Sequence, residues 1–209
     1  MRQLIAALLF FSTSLQAQSG NQLLNTFKKY ITGDFDNSAQ VIAEISSGKQ
    51  MHPLAIHVNR IADAKIINKP ANLKGFFVLE ESYYLLEGKS IDVKPYLFLF
   101  EEGYNNTIQL TTYQLPLQLE KSIIRNDNPE LQFDFQQLKP SPTFKGAVYT
   151  WDNRKKTFHT NTPQDLPNGL RFTLIETFTA NTLSVMELVE KDGKRLTAWD
   201  SPILYKRKL

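Results

Sequence analysis

Two periodicities divide the chain. Residues 21–31 place apolar side chains at Leu23, Leu24, Phe27, Tyr30 and Ile31. That i, i+1, i+4, i+7, i+8 spacing marks one face of a helix. Gly33 ends the helix, and Asp34 is expected in the turn that follows. Asp36, Asn37 or Ser38 can cap a second short helix carrying Val41, Ile42 and Ile45. After Pro53 the period changes to 2. Leu54, Ile56 and Val58 alternate with Ala55, His57 and Asn59, as on a half-buried strand. Further strand-like runs cover 76–86, 95–101, 107–115, 144–151, 157–159, 170–178, 182–190 and 195–205.

Turn signals separate these runs: Glu102-Gly103, Asn105-Asn106, Asp152-Asn153, Pro167-Asn168-Gly169 and Asp192-Gly193. The last predicts a type I′ hairpin, because Asp-Gly supplies two residues that tolerate positive φ. Residues 126–143 are polar, carry Pro129, Pro140 and Pro142, and read as a short helix or a long connection. Eight or nine antiparallel strands behind an N-terminal helical segment predict a mainly β fold, a closed barrel or a sandwich. A barrel of about 8 strands is either packed solid or holds one small ligand. The pattern leaves both open.

The first residues follow a different logic. Arg2 precedes the apolar run Leu4-Ile-Ala-Ala-Leu-Leu-Phe-Phe11, and small residues lie near Ala17. This is the layout of a cleaved signal peptide, expected to be cut after Ala17. An uncleaved buried helix would show the same charge-then-apolar order. Residues 18–209 then form a single domain, periplasmic or secreted. The apolar run is shorter than the roughly 20 residues that span a bilayer, and no membrane span is expected. The absence of cysteine excludes disulfides, a thiolate nucleophile, cysteine-bound metal and an anchor on a lipidated cysteine.

The net charge of +3 is small, and the densest basic clusters are the triplets Arg154-Lys155-Lys156 and Lys206-Arg207-Lys208. Such short runs suit solvated loops, so nucleic acid is not expected as a partner. The three histidines, His52, His57 and His159, form no metal-binding spacing. No G-x-S-x-G, phosphate-binding loop or G-x-G-x-x-G is present.

The aromatic load is more suggestive. Tyr83, Tyr96, Tyr113 and Trp151 belong to a set of strand aromatics that either pack a core or wall a pocket for a flat or lipid-like ligand. Glu80 and Glu81 are adjacent, so one faces each side of a strand. An inward carboxylate among aromatics could exchange a proton; an exposed edge pair is the alternative. Asp34 and Asp36 suit capping of nearby backbone N–H groups. Arg60, Arg125 and Arg171 are candidate carboxylate binders or plain surface charges.

Two segments carry a resemblance. Phe27-Lys-Lys-Tyr-Ile-Thr-Gly-Asp-Phe-Asp-Asn-Ser-Ala-Gln40, followed by Gly75-Phe-Phe-Val-Leu-Glu-Glu-Ser-Tyr-Tyr84, is similar to the opening of the CpcT/CpeT family, the T-type phycobiliprotein lyases. Residues 144–151 with Phe158 resemble that family's central hairpin. Residues 171–178, 183–190 and 199–205 resemble its last strands. The resemblance covers most of 23–206. It implies a lipocalin-like (calycin) barrel that holds a linear tetrapyrrole, a bilin, and presents it to a cysteine of an acceptor protein. The nucleophile belongs to the acceptor, so a chromophore lyase without cysteine fits this chemistry. Glu80 or Glu81 would then assist proton transfer as the catalytic residue, and Tyr83, Tyr96 and Trp151 would orient the ring system. The family's tyrosine matches Tyr96, while Leu97 and Leu99 stand where its Arg-x-Arg pair would bind propionates. No cofactor is expected beyond the bilin or a similar tetrapyrrole. The alternatives are a non-enzymatic binder of a small hydrophobic ligand and a packed barrel acting as a protein-interaction module. A homodimer is a further open partner.

Overall fold

The computed structural model describes residues 22–85 and 92–208. The expected signal peptide, residues 1–17, lies outside the described residues. Helix α1 covers residues 22–31, and α2 covers Ser38–Ser46. The strands are β1 (Gly33–Asp36), β2 (Leu54–Ile61), β3 (Ile66–Ile67), β4 (Gly75–Leu85), β5 (Asp92–Glu102), β6 (Thr107–Tyr113) and β7 (Phe133–Asp134). They continue with β8 (Val148–Asp152), β9 (Thr157–Asp165), β10 (Leu170–Phe178), β11 (Thr182–Lys191), β12 (Lys194–Arg195) and β13 (Ile203–Arg207).

Ten of these strands close an antiparallel barrel in the order β1-β2-β4-β5-β6-β8-β9-β10-β11-β13, with β13 returning to β1. Each neighbour along the ring is the next long strand in the chain, so the barrel is an up-and-down meander. Closure removes the open sheet edges that invite aggregation. The barrel expectation is met; the calycin assignment remains an expectation. Among the described residues no helix is long and apolar enough to cross a membrane.

The sequence pattern predicts neither the two-residue strands β3 and β7 nor one strand of the barrel, β1. Gly33 does end α1, but Gly33-Asp34-Phe35-Asp36 is a strand, not a turn, paired to both β2 and β13. Four residues with two aspartates carry almost no strand signal. Gly33 adopts φ +136, which a residue with a Cβ rarely takes. A side chain there would also run into the Arg207 guanidinium. The run 195–205 is split into β12 and β13, and Asp192-Gly193 makes the predicted hairpin between β11 and β12 with φ 49 and 75.

Strand β4 alternates as its pleat requires. Phe76 and Val78 join the barrel interior, while Phe77 and Leu79 join a second core outside it. Residues 114–147 lay Ile124, Leu131 and Phe133 over the outer faces of β4 and β5. That cover explains why Phe76-Phe-Val-Leu79 and Leu97-Phe-Leu-Phe100 are unbroken apolar runs: both faces are buried. Strand β2 holds a surprise. Its buried face is Ala55, His57 and Asn59, and its aliphatic face of Leu54, Ile56 and Val58 is only half-buried. The polar set faces inward.

Helix α1 plugs one end of the barrel. Phe27 is 0% exposed and its ring sits 5.0, 5.1 and 4.8 Å from those of Phe100, Tyr149 and Phe158. Arg207 holds the plug in place. Its guanidinium donates to the carbonyls of Lys29, Tyr30 and Thr32 at the end of α1, and to Ala180 on the β10–β11 turn. It also lies 4.5 Å from the Phe35 ring. A cation on the last carbonyls complements the negative end of the helix dipole. Truncation of the plug should therefore be costly: Phe27→Ala is expected to lose about 3–5 kcal/mol of unfolding free energy, measured by urea denaturation. A loss below about 1 kcal/mol would mean that α1 is not seated in the barrel.

Candidate functional site

The barrel end opposite α1 is hollow. A cavity of about 430 Å³ runs inward from there. Its apolar wall is built from inward positions of four strands, including Phe98 on β5, Leu110 on β6, Phe172 and Leu174 on β10, and Val185 on β11. Tyr96, Tyr113, Leu115 and Phe144 stand towards the open end. Its volume falls within the range of about 300–1,000 Å³ typical of small-molecule pockets.

A polar cluster is set into this apolar wall. The side chains come from inward positions on two separate pairs of neighbouring strands: His57 on β2 with Glu80, Ser82 and Tyr84 on β4, and Glu176 on β10 with Glu187 on β11. His57 Nδ1 lies 3.1 Å from Glu80 Oε1, and His57 Nε2 lies 2.9 Å from the Tyr205 hydroxyl. The Ser82 hydroxyl donates to Glu80 Oε1 at 2.8 Å. The Tyr149 hydroxyl donates to Glu176 Oε2.

Burial and mutual charge set the protonation of these groups. Burial alone would push the His57 imidazole down, but the Glu80 carboxylate beside it pushes it up and prevails. Burial likewise opposes ionisation of Glu80, and the His57 charge and hydrogen bonds from His57, Ser82 and Asn59 outweigh it, holding Glu80 below its usual range. His57 and Glu80 thus form a buried ion pair, with the Tyr205 oxygen facing the second ring nitrogen. Glu176 behaves oppositely. Burial pushes its carboxyl up to about 8; the Tyr149 hydrogen bond opposes the rise, and the Glu80 and Glu187 charges add to it. At neutral pH Glu176 is therefore mostly protonated. Glu187 is exposed, but to the cavity, and the barrel wall around it raises its carboxyl too. Burial, the largest cause for each, raises the Tyr84, Tyr149 and Tyr205 hydroxyls well above the ordinary tyrosine range.

The residues singled out in the sequence separate in space. Glu80 faces the cavity. Glu81 faces outward and is 4% exposed, accepting from the Asn126 backbone at 2.6 Å and from the Tyr83 hydroxyl, with Arg125 Nε 3.8 Å away. Glu81, Tyr83 and Arg125 thus hold the 114–147 connection against the barrel. Tyr96 lines the cavity and stacks on Phe98 at 5.8 Å; Tyr113 lines it at the open end. Trp151 packs at the plugged end, 4.6 Å from Phe158 and 6.1 Å from Tyr30. Arg171 points outward and pairs with Asp165 at 3.5 Å. Arg60 pairs with Asp34 at 2.6 Å, and Asp36 accepts from the Ser38 backbone at 3.0 Å. The sequence reading therefore reaches Glu80, Tyr96 and Tyr113 of this cavity but passes over Glu176 and Glu187. Their signal was available: each is an acid at an otherwise apolar inward position of an alternating strand.

His52 has its own setting, outside the cavity. Its Nδ1 lies 2.5 Å from Glu44 Oε1 and its Nε2 lies 2.9 Å from the Ser201 carbonyl, with the Ser201 hydroxyl at 3.4 Å. The order Ser-His-Glu resembles a hydrolytic triad, but Nε2 is directed at a carbonyl oxygen and so donates. A nitrogen that donates there is not free to take the serine proton. This cluster joins α2 to the segment before β13.

No protein-family model matches the chain, and no curated protein is significantly similar to it.

The protonated Glu176 has a measurable signature. A carboxyl raised from 4.5 unfolded to about 8 folded binds more protons in the folded state between those values. Stability then falls as pH rises through that window, by at most about 1.4 kcal/mol per pH unit, and levels off above it. Glu176→Gln should show a shallower decline between pH 5 and pH 8 than the wild type in denaturation series. Parallel slopes would show that Glu176 titrates normally.

Proposed function

We propose that the barrel is a binder of a small, mostly apolar ligand, taken into the cavity at the end opposite α1. The observation that supports this is the enclosed volume of about 430 Å³ with an apolar wall and a localised polar cluster. A packed barrel would show neither. Few polar groups placed in an apolar cleft orient a ligand, while the wall supplies most of the affinity through burial. With the expected leader removed, the binder would act in the periplasm or outside the cell.

A second reading, that of a CpcT/CpeT-like chromophore lyase, is favoured by one observation. Glu80 faces the cavity, ionised beside His57, where it could exchange a proton with a bound tetrapyrrole. Against it stands the charge of the wall. Among the described residues no lysine or arginine lines the cavity, so a bilin's propionates would meet carboxylates rather than guanidinium groups. Binding without chemistry accounts for this lining better.

The neutral fluorophore N-phenyl-1-naphthylamine should bind with one-to-one stoichiometry and a blue-shifted emission. Leu110→Trp, which fills the wall from β6, should weaken it at least tenfold while circular dichroism stays unchanged. Equal binding by the variant would place the probe elsewhere. Biliverdin and phycocyanobilin are expected to give no stoichiometric, red-shifted absorbance. Such a complex, followed by transfer to a cysteine acceptor, would establish the lyase reading instead.

A further inference from the structure

Glu176 and Glu187 sit on adjacent strands, on the same inward face. The register pairs Glu176 with Val185 and Leu174 with Glu187, which makes the two acids diagonal neighbours. Such positions lie about 7–8 Å apart at the backbone, within reach of one another for long side chains. Neither carboxyl forms an ion pair with lysine or arginine among the described residues. Lys94 influences Glu187 only through space, with its Nζ 5.5 Å from the Tyr84 ring. Among the described residues the one basic group in the cavity wall, His57, is already matched by Glu80.

An independent feature also calls for an occupant. Thr112 lines the cavity from β6, is only 6% exposed, and its hydroxyl has no hydrogen-bond partner among the described residues. Native structures rarely leave a buried polar group unmatched, so an orphaned hydroxyl marks this stretch of wall, beside Phe98, as one that awaits an occupant. The stacked Tyr96 and Phe98 rings add faces that attract cations.

We propose that the ligand of this cavity is an apolar amine, whose protonated amino head pairs with Glu176 and Glu187 while its hydrocarbon body lies against Phe98, Leu110 and Leu174. This rests on the reading that the cavity binds a ligand, and it narrows the class. A cationic head supplies the charge that the wall lacks. It also relieves the repulsion among Glu80, Glu176 and Glu187 that, with burial, holds Glu176 protonated. A carboxylate head of the same size would add to that repulsion, and a hydroxyl head would leave it unchanged.

Three probes with one chain and different heads separate the cases: decylammonium, decanol and decanoate, each competed against N-phenyl-1-naphthylamine on the full chain at neutral pH. Decylammonium is expected to bind at least tenfold tighter than decanol, with decanoate weakest. Glu187→Gln, which removes an ionisable carboxyl exposed to the cavity, should cut the ammonium's advantage over the alcohol at least fivefold. Equal affinities, or an alcohol or carboxylate preferred over the amine, would overturn the amine assignment and leave the cavity reading standing. An advantage unchanged by Glu187→Gln would also overturn it. Failure of the fluorophore and all three probes to bind would overturn the cavity reading itself.

Discussion

A sheet of ten strands closed on itself encloses more space than inward side chains readily fill, since about eight strands already give an interior just wide enough to pack solid. The rest of the molecule is arranged around that excess. Helix α1 takes up one end, with Phe27 at the centre of an aromatic cluster formed by Phe100, Tyr149, Phe158 and Phe178. Arg207, on the last strand of the barrel, satisfies the carbonyls at the end of α1 and stacks on Phe35. The last described strand therefore secures the first described helix. The volume that α1 does not occupy is the cavity.

The polar interior follows from the same geometry. A barrel wall alternates, so each inward position must either pack or be paired. Near α1 the inward positions are Phe76, Val78, Phe100 and Phe158, and they pack. Farther along the same strands they become Glu80, Ser82 and Tyr84. On β10 and β11, Glu176 and Glu187 stand among apolar inward neighbours such as Phe178 and Leu183. His57 neutralises Glu80. Glu176 is held protonated instead, because burial, with the Glu80 and Glu187 carboxyls nearby, outweighs the stabilisation that the Tyr149 hydrogen bond and the His57 charge offer its ionised form. The barrel thus changes character along its axis, from a packed aromatic end to a hollow acidic one. The outer core beneath residues 114–147 keeps β4 and β5 fixed from behind, with Glu81 buried on that side.

Much of this was legible from pattern. The two helices, nine of the ten barrel strands, the closing hairpin at Asp192-Gly193 and the polar connection after β6 all left a period or a turn signal. Strand β1 did not, because four residues with two aspartates carry no period; its place is fixed by Phe35 and by pairing with β2 on one side and with β13, far away in sequence, on the other. Which of Glu80 and Glu81 faces inward was equally hidden, since a slip of one residue exchanges them. On β2 the usual rule misleads. The aliphatic residues Leu54, Ile56 and Val58 look like the core face, yet His57 and Asn59 are the buried ones, because partners for them exist only in the assembled interior: Glu80 and Tyr205 for His57, the Ile31 carbonyl for Asn59. Arg171, a natural anion binder by type, lies on an outward position and pairs with Asp165 instead.

The hollow end of the barrel is proposed to receive an apolar amine on its acidic side. A crystal structure of the protein with decylammonium tests it most directly. Density is expected inside the barrel, with the nitrogen within hydrogen-bond distance of the Glu176 or Glu187 carboxyl and the chain along Phe98 and Leu174. A ligand bound only on the outer surface, or an interior closed by collapsed side chains, would contradict it.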